Sequence, residues 1–236
     1  MTDDIGRAHL HAFHRYDGLE EAPAFGPRLM LEGPAGPLEA LVDAPADPLP
    51  GAPVAVVCHP HPRYAGTMQN KVTHMIATAL ADAGVVAVRF NFRGVGKSAG
   101  RYDGGRGEAT DLAAVAGWAR ARLPGAPLWL AGFSFGAYVV MRAQAELEPA
   151  RLLVVAPPVD LFDFTSVADP TAPLTVIQGG RDEVVSPPAV SEWAAALPGK
   201  PHYRWMADAD HFFHGRMNRL REAVHREASH AIQTQS

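Results

Sequence analysis

The chain has 236 residues, of which 47% are apolar, with a formal net charge of −4 and a pI near 6.2. That length and apolar share suit a single α/β domain with a sizeable core. The mild acidity and the lack of any Lys/Arg-rich run disfavour a nucleic-acid partner. Cys58 is the single cysteine, which excludes an intrachain disulfide. The acidic start lacks an apolar signal region and no stretch reaches the length of a membrane span, so a cytoplasmic monomer or homodimer with no membrane partner is expected.

Residues 1–25 carry His9, His11 and His14 among mixed polar residues and show no sustained period. They are expected to form a loosely held N-terminal extension, and scattered histidines in a tail read as solvated polarity before they read as a metal site. Residues 26–236 are expected to form the α/β domain. Short apolar runs at 28–32 and 38–42 flank Gly33-Pro34-Ala35-Gly36-Pro37 and predict a hairpin. A Pro-rich stretch follows at 44–53. Residues 54–58 are continuously apolar, as in a strand buried on both faces.

A helix is predicted over 70–83, with Val72, Met75, Ile76, Ala79 and Leu80 on one stripe and Gly84 ending it. A strand is predicted over 85–92. Residues 108–123 read as a helix with Leu112, Val115 and Trp118 buried. Three more apolar runs, at 127–131, 151–155 and 174–178, read as strands. The chain closes with a helix at 188–197, a strand at 202–206 and a helix at about 215–230. Alternation of this kind specifies a mostly parallel sheet of about eight strands with helices on both faces, its first two strands antiparallel.

The sharpest motif is Gly132-Phe133-Ser134-Phe135-Gly136, a G-x-S-x-G pentapeptide set between a predicted strand and a predicted helix. Such a turn exposes the serine Oγ and leaves helix N-terminal N–H groups behind it for a developing anion. Alone, the pattern is short enough to arise by chance. In a parallel sheet, chemistry gathers at the carboxyl ends of the strands. Asp182 follows the strand at 174–178, after Gly179-Gly180, and His211 lies in the loop after the strand at 202–206.

Ser134, Asp182 and His211 stand in the Ser…Asp…His order of one triad fold. The imidazole would take the serine proton while the carboxylate holds its tautomer. Glu183 and Asp160 are rival acids, and His202 and His214 are rival bases. The second oxyanion donor is expected after Cys58, where the chain reads His59-Pro60-His61-Pro62. Prolines have no N–H, so within this tetrapeptide only His59 and His61 can donate from the backbone; the amide of His61 is the choice, paired with that of Phe135. His59, Tyr64, Phe133 and Phe212 are candidate pocket residues.

Other chemistries fit less well. Gly96-Lys97-Ser98 resembles the end of a P-loop, but Asn91 stands where that motif needs a glycine. Gly94-Val95-Gly96 also matches part of a dinucleotide fingerprint, yet the chain continues as loop through Gly105 where a helix should open. A loop shaping the site's rim is the better reading, and saturable NAD or NADP binding is not expected. The His59/His61 pair offers too few ligands for zinc. Cys58 ends a buried run, where a thiol is usually inert.

In combination these residues resemble the α/β-hydrolase superfamily, and within it small bacterial hydrolases near the dienelactone hydrolase type. The resemblance rests on 31–39, His59-Pro60-His61-Pro62, Gly66-Thr67-Met68, Asn70-Lys71-Val72, 91–98, the serine pentapeptide and Gly180-Arg181-Asp182. Ala65 stands where such proteins usually have a glycine beside Gly66, and the first 25 residues find no counterpart. The resemblance implies carboxylic-ester hydrolysis without a metal or cofactor, and the expected activity is that of a serine hydrolase acting on esters or thioesters through an acyl-enzyme. Fewer than twenty residues separate the strands at 151–155 and 174–178, so no large cap domain is expected. Small to medium substrates follow from that. A catalytically idle scaffold used for binding, or a peptidase or lactone hydrolase of the same fold, are the alternatives.

Overall fold

The structure is a computed structural model that describes residues 28–46 and 51–234. The expected extension over residues 1–25 lies outside the described residues. Among the described residues eight strands form one sheet: β1 (Arg28–Leu31), β2 (Leu38–Asp43), β3 (Val54–Cys58), β4 (Val86–Phe90), β5 (Leu128–Phe133), β6 (Arg151–Val155), β7 (Leu174–Gly179) and β8 (His202–Met206). Their spatial order is β1-β2-β4-β3-β5-β6-β7-β8. The β1–β2 pair is antiparallel, as the hairpin reading required, β2–β4 is antiparallel too, and every other pair is parallel. This is the α/β-hydrolase fold.

Among the described residues five helices cover the two faces: α1 (Lys71–Asp82), α2 (Arg106–Arg122), α3 (Phe135–Leu147), α4 (Pro187–Ala196) and α5 (Met217–Gln233). Two apolar cores result. One joins α2, α3 and α4 to one face of the sheet, and the other joins α1 and α5 to the opposite face. The continuous apolar run in β3 serves both: Val54, Val56 and Cys58 enter the first core while Ala55 and Val57 enter the second. Successive strand side chains point to opposite faces, so only a strand sandwiched between helices can bury all of them. Each fully buried Val or Leu contributes about 1.5–3 kcal/mol, and a charge in place of Val56 would break both the strand and its core.

Element boundaries moved for local reasons. Helix α1 starts at Lys71 because the Asn70 side chain caps it, accepting from the N–H groups of Val72 (2.9 Å) and Thr73 (3.3 Å). Met75 and Trp118, expected inside, are only partly covered. Helix α2 starts at Arg106, two residues before the prediction, since buried Glu108 reaches back to the N–H of Gly105 (2.7 Å). Helix α5 begins at Met217 because Gly215 has a φ of 65°, which no right-handed helix admits. The strand predicted over 85–92 ends at Phe90, where Asn91 turns its side chain to Met68 N–H (2.9 Å) and Glu39 (2.8 Å).

Between β6 and β7 the chain at 156–173 contains no helix or strand, so no cap domain stands over the sheet there. From β3 the chain moves outward to β4, and β5 then returns to β3's other side. The β3–β5 boundary is therefore the topological switch point, where open α/β sheets leave a crevice beyond the strands' carboxyl ends. Ser134 and the His59–His61 loop emerge at that point.

Candidate active site

Strand β5 runs straight into Ser134, whose N–H still pairs with the Val155 carbonyl (2.9 Å), and α3 begins at the next residue. Passing from strand to helix without a linker forces Ser134 to φ 54°, ψ −120°. A non-glycine residue held there stores on the order of 1–3 kcal/mol of strain. The flanking glycines are needed for space. A Cβ on Gly132 would overlap the Gly136 carbonyl, and a Cβ on Gly136 would overlap the carbonyls of Cys58 and His59. The β3 loop thus lies directly against the first turn of α3.

His211 Nε2 is 3.2 Å from Ser134 Oγ, and His211 Nδ1 is 2.8 Å from Asp182 Oδ2. Asp182 can only accept, so Nδ1 carries the hydrogen and Nε2 is left free to accept the serine proton. Asp182 Oδ2 also takes the Gln178 side-chain N–H (3.1 Å), while Oδ1 accepts from Val184 (2.9 Å) and Val185 (2.8 Å). Burial pushes the Asp182 carboxyl up, but the hydrogen bond and charge of His211, with the two backbone N–H groups, outweigh it and hold the pKa below the ordinary value. The loops bearing the acid and the imidazole are tied together: Gly180 N–H donates to Met206 O (2.8 Å) and Arg181 N–H to Ala209 O (2.9 Å). A side chain on Gly179 or Gly180 would strike the backbone of 207–210.

The β3 loop is built differently. His59 is fully buried, with Nδ1 against the Pro60 carbonyl (2.6 Å) and Nε2 accepting from the Phe92 N–H (3.1 Å). Burial lowers its pKa to about 3 against a smaller upward pull from the Pro60 carbonyl, so the ring stays neutral. His61 opens a single 3-10 turn (Pro62–Tyr64), and its carbonyl accepts from both Tyr64 and Gly66 (3.1 Å each). That fold-back leaves the His61 N–H with no acceptor among the described residues. Phe135 is the first residue of α3, so its N–H has no intrahelical acceptor either.

Two of the expected pocket residues are corrected. His59 is a brace between the β3 and β4 loops. Phe133, also fully buried, lies under the imidazole with ring centroids 5.0 Å apart. Residues of β5 that alternate with the solvent-side turn have nowhere to go but the core. Tyr64 (85% exposed) and Phe212 (39% exposed) stand at the surface beside His61 and His211. Two rings that went unnamed in the sequence also meet His61: Tyr102, whose hydroxyl is 3.1 Å from Nε2, and Phe162. Phe162 also walls a groove of about 570 Å³ that runs between 159–169 and α4.

The rivals have other partners. Asp160 accepts from the Ser186 N–H (3.0 Å), His202 pairs with Glu227 (2.7 Å) and His214 with Asp210 (2.8 Å). Glu183 is exposed. The Cys58 thiol is fully buried and pushed up by burial, then by Asp111. The loop at 93–100 opens no helix and is pinned by Glu39, which accepts from Asn91 Nδ2 (2.8 Å) and the Lys97 N–H (3.0 Å). It leads into the loop that carries Tyr102, whose hydroxyl meets His61.

A family model described as an alpha/beta hydrolase domain matches residues 64–235. This chain belongs to the α/β-hydrolase family. An uncharacterized protein of Rickettsia prowazekii is 35% identical over 208 residues, covering 84% of this chain and 87% of the relative. Among solved structures, an α/β serine hydrolase without a lid from Xanthomonas campestris is 46% identical with a TM-score of 0.82, over 91% of this hydrolase and 97% of that chain. A serine hydrolase homologue from Coxiella burnetii is 40% identical with the same TM-score of 0.82, over 88% and 99%. Among the described residues no helix is long and apolar enough to cross a membrane.

Proposed function

We propose that this α/β-hydrolase cleaves carboxylic esters or thioesters of small to medium size through an acyl-enzyme. The observation that carries the reading is the chain Ser134 Oγ, His211 Nε2, His211 Nδ1, Asp182 Oδ2, with spacings of 3.2 and 2.8 Å, mounted on a strained strand-to-helix turn. Ser134 Oγ attacks the scissile carbonyl carbon as its proton passes to His211 Nε2. The imidazolium that forms is stabilised by Asp182, which is already ionised and needs no rearrangement. Negative charge that develops on the carbonyl oxygen is met by the N–H groups of Phe135 and His61.

The His211 proton then goes to the departing alkoxide or thiolate as the C–O or C–S bond breaks, leaving the acyl group on Ser134. Water repeats the sequence: His211 takes its proton as its oxygen attacks the acyl carbon, then the bond from that carbon to Ser134 Oγ breaks, His211 returns the proton to Oγ and the carboxylic acid departs. Neither a metal nor a cofactor enters the scheme. The open cleft, without helix or strand at 156–173, favours acyl groups of modest size over long lipids enclosed beneath a lid.

A fluorophosphonate probe tests the nucleophile. Wild-type protein should be labelled at Ser134, and Ser134→Ala should not be. A panel of p-nitrophenyl esters and acyl-CoA thioesters tests the reaction, and turnover by Ser134→Ala equal to wild type would place the chemistry elsewhere.

A further inference from the structure

Tyr102 takes no part in the scheme above, yet its hydroxyl is held against the oxyanion loop. The state of that hydroxyl follows from its neighbours. The Arg63 N–H donates to His61 Nδ1 (3.1 Å), so Nδ1 presents a lone pair. Burial, and then the Arg63 charge, lower the His61 pKa and keep the ring neutral. A neutral imidazole with a lone pair on Nδ1 carries its hydrogen on Nε2. Nε2–H therefore donates to Tyr102 Oη, 3.1 Å away, and Oη accepts.

The phenol keeps its own hydrogen. Burial raises the Tyr102 pKa, and the Glu108 carboxylate adds to that more than the Arg63 charge subtracts. Among the described residues nothing accepts that O–H. A hydroxyl that already accepts a hydrogen bond is polarised into a stronger donor. Tyr102 is half-buried, and its ring centroid lies 4.9 Å from that of His61 and 5.7 Å from that of Phe135, the two residues whose amides flank the oxyanion position. Phe162 completes the wall, 6.0 Å from His61 and 5.4 Å from Phe135. The loop is preorganised: Glu108 holds the N–H groups of Asp103 (2.9 Å) and Gly105 (2.7 Å).

We propose that Tyr102 is a specificity-determining donor that selects esters whose aryl-bearing portion carries a neutral oxygen acceptor, such as an ether or ketone. The partly exposed rings of His61 and Phe162, backed by the buried Phe135, receive the flat portion, and Tyr102 O–H bonds its oxygen. A neutral acceptor suits the position because Glu108, beneath the same loop, opposes an anionic one. The proposal rests on the serine-hydrolase reading above.

The test uses matched esters that differ by one oxygen: the methyl esters of para-methoxyphenylpropanoate and para-ethylphenylpropanoate, and the acetates of the corresponding arylethyl alcohols. The saturated linkers insulate the scissile bond from the ring substituent, and the two pairs sample the acyl and alcohol sides. Wild type should favour the methoxy member of one pair by roughly fivefold to tenfold in kcat/KM, the effect of one neutral hydrogen bond. Tyr102→Phe removes one half-exposed oxygen and keeps the ring wall, so the protein should fold and bind the fluorophosphonate at Ser134. In that variant the preference should shrink to within about twofold. A merely structural role would lower both members of a pair alike and leave the ratio standing. An unchanged ratio in the labelled variant, or no preference in wild type with either pair, overturns the proposal alone. Absence of labelling in wild type overturns the parent reading and this one with it.

Discussion

Two histidine-bearing loops meet at the switch point of the sheet, and they are built on opposite plans. The loop after β8 offers a side chain: both nitrogens of His211 face side-chain oxygens, Ser134 on one and Asp182 on the other. The loop after β3 offers backbone. Its histidine nitrogens are spent on Pro60, Phe92, Arg63 and Tyr102, and what it leaves open is the His61 N–H. His59 and His211 are equally buried. Burial therefore does not separate a brace from a base; the identity of the atoms on each ring nitrogen does.

The largest expected effects fall on the side-chain loop and on the acid after β7 that holds its imidazole. Asp182→Asn keeps the shape but lets the amide donate to Nδ1, which favours the tautomer that cannot accept from Ser134. A fall in kcat of about 10⁴ on a p-nitrophenyl ester is expected, with thermal stability little changed. His211→Gln should cost at least as much, since it removes the proton acceptor itself. A drop of only a few-fold in either variant would mean that the loop is a brace like its neighbour.

The backbone loop should respond through geometry. Gly66 accommodates the fold-back, and a Cβ there would overlap the carbonyls of Pro60 and His61. Gly66→Ala should shift the His61 amide and lower kcat by about 10²–10³, the usual effect of losing one oxyanion donor, with KM nearly constant. An unaltered kcat, with the loop's displacement verified structurally, would remove His61 from the oxyanion role.

His59 should speak through stability rather than rate. Its folded pKa is lowered to about 3 from an ordinary 6.5, chiefly by burial. Below about pH 6.5 the unfolded chain binds a proton that the folded protein refuses, so stability is lost as pH falls from 6.5 towards 3. The slope from this one group approaches about 1.4 kcal/mol per pH unit. Urea melts across that window should show it, and His59→Gln should flatten it. The glutamine amide oxygen can accept from the Phe92 N–H but its NH2 cannot also reach the Pro60 carbonyl, so the variant loses one buried hydrogen bond, at a cost of about 0.5–1.5 kcal/mol at neutral pH. An unchanged slope would show that protonation of His59 is not coupled to unfolding.

Much of this was legible because strand order is a strong constraint. A continuous apolar run, a turn signal and an acid or histidine directly after it were enough to mark Ser134, Asp182 and His211 as candidates. Side-chain destinations were less legible. Phe133 and Phe135 flank the same serine, yet one packs beneath His211 and the other against His61 and Tyr102. Periodicity says that both are near the turn but not which way each ring points. Tyr102 was hidden for another reason: its position depends on Glu39 and Glu108 fixing a glycine-rich loop from elements distant in sequence. No local pattern records such contacts.

The smallest effect tests whether the backbone loop holds strain of its own. Ala65 lies at φ 59°, ψ 23°, a left-handed conformation that costs an ordinary residue about 1–2 kcal/mol and glycine almost nothing. Its side chain is exposed, so nothing in the packing offsets that cost. Ala65→Gly relieves the strain but widens the unfolded ensemble, which returns about 0.4–1 kcal/mol. The net expectation is a stabilisation of up to about 1 kcal/mol, a rise in Tm of a few degrees at most. Ser134 makes the contrast. It too holds a positive φ, but its side chain is the proposed nucleophile, so relaxing it with glycine would abolish turnover. Strain at Ser134 thus aims a reactive atom, whereas strain at Ala65 only closes a turn. A fall in Tm for Ala65→Gly would mean that the alanine methyl stabilises the fold-back by more than its backbone conformation costs.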